Sequence, residues 1–159
     1  MPSRIMAIGA GNLLMGDDGI GVRVIQELKN AGLEREIPDI ELVDAGTAAL
    51  DVLMDCDGRV RLLIVDAVTA GKPPGTIYRF RREQIARAGQ GGGFSFHDIS
   101  LLDSLKLAEI GGAEIESVMF IGVEPFEVKP SDRLSPGMEA MLPAIVEAVR
   151  RELEAMSKS

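Results

Sequence analysis

Short apolar runs alternate with amphipathic ones along the chain, and this alternation limits the fold more than any other feature of the sequence. Residues 5–8, 40–43, 62–65, 76–80 and 117–123 read as strands, because their apolar runs are short and rich in aliphatic residues. Residues 20–31, 48–54 and 99–110 carry apolar side chains at helical spacing. A last helix is expected from Pro136 to Met156, with proline in its first turn. This βαβα order predicts an α/β fold: a three-layer, mostly parallel twisted sheet of about five strands with helices on both faces. The segment TAGKPPGT is a turn leading into strand 76–80, which is expected at an edge or antiparallel. At 159 residues and 46% hydrophobic content, residues 1–159 are expected to form one domain. With no Trp and one Tyr, its core must be aliphatic and filled by methionine.

The first strand runs into Gly9-Ala10-Gly11 and then into a helix, which is how a dinucleotide-binding fingerprint begins. The resemblance to that fingerprint stops there. Leu14 stands where the third glycine belongs, and Asp17 and Asp18 stand where a phosphate would meet the helix N-terminus. The net charge of −8 and the lack of basic runs interleaved with aromatics argue against nucleic acid and anionic membrane surfaces as partners. The one dense basic patch, RFRRE, fits a solvated face. No apolar stretch approaches the roughly 20 residues of a membrane helix, so no membrane insertion is expected. The first residues show no signal-peptide pattern. Cys56 is the only cysteine, so no intrachain disulfide can form, which fits a reducing cytoplasm.

In open α/β sheets, ligands bind outside the carboxyl ends of the strands. Acidic residues collect at that edge. Asp17 and Asp18 follow the first strand, Asp44 the second, Asp66 the third and Glu124 the last. An Asp at a helix start caps free N–H groups. One cap suffices, so Asp17 is assigned the cap and Asp18 the cleft. Asp44 or Thr47 equally suits a cap for the helix at Ala48, and Glu124, before Pro125, suits a loop-holding role. His97 is the only histidine; it follows the glycine-rich GQGGGFSF and precedes a helix. The positive end of that helix disfavours imidazolium and keeps the ring in its neutral, metal-binding form. Asp18, Asp66 and His97 together would make an open three-ligand set suited to a borderline divalent ion such as Zn or Ni. Cys56 has no histidine near it in sequence, and no G-x-S-x-G elbow supplies a serine nucleophile.

The segments GAGNLLMGDDGIGVRVIQEL, VDAGT, LLIVDAV, SFHDISLLDSL, GVEP and LSPGMEAMLPAI occur in this order over nearly the whole chain. In this the sequence resembles the hydrogenase maturation endopeptidases, which trim the C-terminal extension of the [NiFe]-hydrogenase large subunit. The resemblance implies that the metal-binding acid of the first loop falls on Asp18, where some members carry Glu. It implies that the second acid falls on Asp66 and the histidine ligand on His97. Asp44 matches a further family acid, a supporting position of less defined role. The implied partner is a nickel-loaded precursor of a [NiFe]-hydrogenase large subunit, with nickel carried by that substrate and Zn or Cd able to substitute in vitro. The implied chemistry is peptide-bond hydrolysis, of aspartic or metal-dependent type. Two other readings stay open at this level. One is a non-hydrolytic nickel-binding chaperone or checkpoint using the same ligands. The other is a nucleotide- or sugar-phosphate-binding domain, favoured by Gly9-Ala10-Gly11 and opposed by the acidic loop.

Overall fold

The structure is a computed structural model that describes residues 3–84, 95–96 and 100–159. Strand β1 (Arg4–Ala10) is followed by a 3-10 turn (Gly16–Gly19), helix α1 (Ile20–Asn30), the short helix α2 (Leu33–Glu36), strand β2 (Ile40–Gly46) and helix α3 (Ala49–Met54). Then come β3 (Arg59–Thr69), β4 (Ile77–Arg81), β5 (Ser95–Phe96), α4 (Ser100–Ile110), β6 (Glu114–Val123) and α5 (Pro136–Ser157). The sheet order is β2-β1-β3-β6-β4. Strands β2, β1, β3 and β6 are mutually parallel, and β4 pairs antiparallel with β6 at the edge. Two residues of β5 pair antiparallel with Val68 and Thr69 at the end of β3.

Each strand buries one set of alternate side chains on each face, as the two-residue period of a strand requires. Ile5, Ala7, Leu63, Val65 and Ile121 pack against α1 and α5. Met6, Ile8, Leu62, Ile64 and Phe120 pack on the other face, against α3 and α4. β3 is covered on both faces from Val60 to Val68, which is why its sequence is an almost unbroken apolar run. At the antiparallel edge, Tyr78 and Phe80 turn inward and stack at 5.7 Å, while Arg79 turns outward and pairs with Glu152. The arginines of RFRRE thus include a charged edge of the kind that discourages strand addition. No helix among the described residues is long and apolar enough to cross a membrane.

Helix α1 lies on the sheet at backbone distance. A Cβ on Gly21 would sit 2.1 Å from the Val65 carbonyl oxygen and 2.6 Å from that of Ala10, so only glycine fits there. The entry to α1 is held from the far end of the chain. The Asp17 carboxylate accepts hydrogen bonds from the N–H groups of Phe126 and Glu127 at 2.9 Å each, from Ser135 N–H at 2.7 Å and from Ser135 Oγ at 2.8 Å. Ser135 Oγ in turn accepts from Met138 N–H at 3.2 Å and caps α5. Asp17 therefore does not cap its own helix. Neither the 3-10 turn nor α1 has a side-chain cap from its N-cap residue, Met15 and Gly19 respectively. Its carboxylate acts across the molecule, because the loop after β6 presents several N–H groups to it while the first turn of α1 is already continued by the 3-10 turn.

Removing this acceptor strands four donors at a buried junction. Asp17→Ala is expected to lower unfolding stability by about 3 kcal/mol or more, since hydrogen bonds to a charged group are the strong ones and buried donors are costly to leave unmade. Asp17→Asn keeps one acceptor oxygen and should lose less. Chemical denaturation of the two variants beside the wild type measures both, and an Asp17→Ala midpoint equal to wild type would reject the anchor.

Candidate active site

Asp66 lies inside β3, three residues short of its end, and not in a loop beyond the strand as the break in the apolar run suggested. The strand continues because Asp66 and Ala67 still pair with Gly122 and Val123, and Val68 and Thr69 pair with β5. By strand parity Asp66 shares a face with Leu62 and Ile64, the face covered by α3 and α4. It lines a cavity of about 50 Å³ with Gly11, Gly46, Thr47, Ala49 and Leu101. Its Oδ1 accepts a hydrogen bond from Ala67 N–H at 2.8 Å. Asp18, on the 3-10 turn, sets its backbone carbonyl against Gly11, and its Oδ2 accepts from Asn12 N–H at 2.9 Å. Both aspartates are buried.

Gly11 is where the two meet. Its φ is +122°, and a Cβ added to it would lie 2.0 Å from the Asp18 carbonyl oxygen and 3.4 Å from Asp66 Oδ1. The missing side chain lets the 3-10 turn fold back against the end of β1 and brings residue 18 beside residue 66. The glycine turn that opens like a phosphate loop is thus occupied by the protein's own backbone and acids. His97 lies outside the described residues, and so do the glycines that precede it. Phe96, paired with Val68 two positions beyond Asp66, is the described residue next before it in the chain. Among the described residues, no three His, Cys, Asp or Glu side chains gather into a metal-holding group.

Asp44 goes elsewhere. It too lies within a strand, β2, but it has the parity of Leu42, which packs on the α1 side of the sheet. Its side chain is exposed and accepts from Gln26 Nε2 of α1 at 3.1 Å. Asp44 and Asp66 follow the same kind of apolar run, yet they project from opposite faces. Neither Asp44 nor Thr47 caps α3. Glu124 holds the loops at the end of β6. Its Oε1 accepts from Tyr78 Oη at 2.6 Å and from Ala70 N–H at 2.9 Å. Burial, and then this hydrogen bond, push the Tyr78 phenol up from its usual range. The sequence carries no signal for that pairing, since residues 78 and 124 meet only through the β4–β6 ladder.

Cys56 is half-buried with Sγ 3.6 Å from Met6 Sδ, and burial pushes its thiol up, away from the reactive thiolate. A larger cavity, of about 640 Å³, opens at the other end of the strands. Its charged lining is Arg59, Arg61, Arg81, Glu83 and Glu116. Two of these arginines already serve the fold: Arg59 pairs with Glu116, and Arg61 donates to the Met156 carbonyl near the C-terminus of α5. The two aspartates and the large cavity are therefore separate features at opposite ends of the sheet.

Comparison with known proteins places the chain in a family. The family model described as hydrogenase maturation protease matches residues 22–152. That match contains Asp44, Asp66 and His97 and begins just after Asp18. The chain is similar to the hydrogenase 2 maturation protease of Escherichia coli K12, with 34% identity over 148 residues, 92% of this chain and 88% of that protein. It is 31% identical to the hydrogenase expression/formation protein HupD of Thiocapsa roseopersicina, covering 87% of this chain and 66% of that one. Among solved structures, the hydrogenase maturating endopeptidase HybD from E. coli superposes with a TM-score of 0.77 and 32% identity over 96% of this chain and 93% of that one. The [NiFe] hydrogenase maturation protease HybD from Thermococcus kodakarensis gives 0.75 and 25% identity, covering 93% and 97%. On the span of the family match and the length of these relatives covered, the chain belongs to the hydrogenase maturation protease family.

Proposed function

We propose that this chain, acting as a single domain in the cytoplasm, is the endopeptidase that removes the C-terminal extension of a nickel-loaded [NiFe]-hydrogenase large-subunit precursor. Asp18, Asp66 and His97 engage the nickel that the precursor brings. The observation that supports this reading is the meeting of the Asp18 backbone and the Asp66 carboxylate at Gly11, at the carboxyl edge of the sheet, in a chain of the maturation protease family. Two carboxylates and one imidazole suit a borderline divalent ion and leave coordination positions for the precursor's own ligands. Zn or Cd should occupy the same donors in vitro.

The protein's own groups orient the acids. Ala67 N–H fixes Asp66 Oδ1, and Asn12 N–H fixes Asp18 Oδ2, so neither carboxylate must be ordered when substrate arrives. Nickel held by the precursor supplies Lewis acidity at the scissile carbonyl. In the carboxylate alternative, Asp18 or Asp66 takes the proton of the attacking water. Both routes need the two acids, and they differ in whether nickel is required.

Asp18→Asn and Asp66→Asn should each reduce release of the C-terminal peptide by about a hundredfold or more. Each should leave the fold close to wild type, because asparagine keeps one acceptor oxygen for the N–H that holds it. Mass measurement of the released peptide, with a thermal melt of each variant, tests this. Full processing by both variants would remove the acids from the mechanism. Precursor binding without any peptide release by wild type would make the chain a non-hydrolytic nickel checkpoint.

Nickel-loaded precursor should be cleaved and the chelator-treated precursor left uncut. About 3 kcal/mol of shared coordination corresponds to a preference of roughly a hundredfold. Equal cleavage rates for the two forms would reject nickel as the recognition device and favour the carboxylate route.

A further inference from the structure

The segment VDAGT ends on a threonine that the fold does not use. Ala48 N–H donates to the Ala45 carbonyl at 2.8 Å, so Gly46 and Thr47 are the central residues of a tight turn between β2 and α3. The turn needs its glycine, whose φ is +55°. Gly11 N–H donates to the Gly46 carbonyl at 2.9 Å and ties the turn to the end of β1. A hydroxyl in such a place ordinarily bonds a nearby backbone group or caps the next helix. Thr47 does neither. The N-cap residue of α3 is Ala48, and the Thr47 hydroxyl has no hydrogen-bond partner among the described residues.

The turn holds Thr47 at the cavity of Asp66 instead. Apart from these two residues, the lining is Ala10, Gly11, Gly46, Ala49 and Leu101. The Asp66 carboxylate and the Thr47 hydroxyl are therefore the only polar side-chain groups that the described residues put there. Asp66 is 3% exposed while Thr47 is exposed, so the cavity runs from solvent at Thr47 to the buried carboxylate. A site holds a water when it offers roughly 10–15 Å³ and at least two polar partners. Pockets for small organic molecules begin at roughly 300 Å³. This cavity, of about 50 Å³ with two polar side chains, has the size and the chemistry of a seat for water.

We propose that this cavity seats the water that attacks the scissile carbonyl, with the Thr47 hydroxyl orienting that water against Asp66. The proposal rests on the processing reading above and adds where the nucleophile is held. Thr47 Oγ1 and the Asp66 carboxylate each accept one hydrogen of the water, which leaves a lone pair of its oxygen for the carbonyl carbon. A carboxylate has about four lone-pair sites, so Asp66 can serve Ala67 N–H, a metal ion and this water together. In the hydrolysis, the water's oxygen bonds to the carbonyl carbon and the C–N bond breaks. The two water protons leave with the amine as ammonium, and a carboxylate remains. Thr47 gains and loses no proton. Its hydroxyl touches the water and not the bound precursor, so it should act on kcat and not on KM.

The test compares wild type, Thr47→Val and Thr47→Ser on purified precursor reconstituted with nickel. Valine keeps the shape and removes the hydroxyl, and serine keeps the hydroxyl. All three should melt together, because Thr47 is exposed and bonds no other described residue. Thr47→Val is expected to lower kcat by about tenfold to a hundredfold with KM within about twofold, and Thr47→Ser to keep kcat within about threefold. An unchanged kcat in Thr47→Val overturns the seat. So does a change confined to KM, which would put the hydroxyl on the precursor, and so does an equal loss in both variants. Absence of cleavage by wild type defeats the processing reading instead. The seat is then judged by high-resolution crystal structures. A water within hydrogen-bond reach of Thr47 Oγ1 and Asp66 in wild type, missing from Thr47→Val, supports it. An empty wild-type cavity, or the same water in both proteins, rejects it.

Discussion

The first and last loops of this protein meet on one carboxylate. Asp17 accepts four hydrogen bonds from Phe126, Glu127 and Ser135, the last of these 118 positions away in sequence. A buried charge is tolerated only when it is fully engaged, and here backbone N–H groups and a hydroxyl engage it. Through Ser135 the same contact caps α5, the helix that covers one face of the sheet. The 3-10 turn is thereby a fixed part of the fold. Asp18, the next residue, inherits its position from that constraint.

Glycine governs how closely the layers approach. At Gly21 the helix α1 touches the carbonyls of β1 and β3, and at Gly11 the 3-10 turn folds back on the end of β1. In a dinucleotide-binding domain the absence of Cβ at such positions admits a pyrophosphate. Here the same absence admits the backbone of Asp18 and the carboxylate of Asp66. The glycine turn and the acidic residues after it are therefore parts of one arrangement, and the space a phosphate would use is taken by the protein's own backbone and the Asp66 carboxylate.

The two ends of the sheet differ in chemistry. The carboxyl end gathers Asp18 and Asp66, with Glu124 occupied by Tyr78 and Ala70. The amino end carries arginines, of which Arg59 is paired with Glu116 and Arg61 holds the end of α5. This polarity matches membership of a peptidase family whose proposed substrate brings a metal ion.

Much of this was legible in the sequence, for reasons that can be stated residue by residue. The unbroken run Leu62–Val65 marked a central parallel strand because such a strand is buried on both faces. Pro136 marked the start of the last helix, and TAGKPPGT marked the turn before an antiparallel edge strand. The order of motifs pointed to the family. What the linear pattern lacked was the face on which each side chain falls. VDAGT and LLIVDAV present the same local signal, an acid after an apolar run, yet Asp44 projects toward α1 and Asp66 toward α3 and α4. Likewise Asp17 and Asp18 are adjacent and both buried, and one anchors a distant loop while the other turns to Gly11. Periodicity and composition are local properties, so the sequence by itself determined the elements, their order and the acidic edge. Which acid faces which layer depends on pleat parity against helices many residues away, and on donors supplied by a loop at the other end of the chain, so only the tertiary structure decided it.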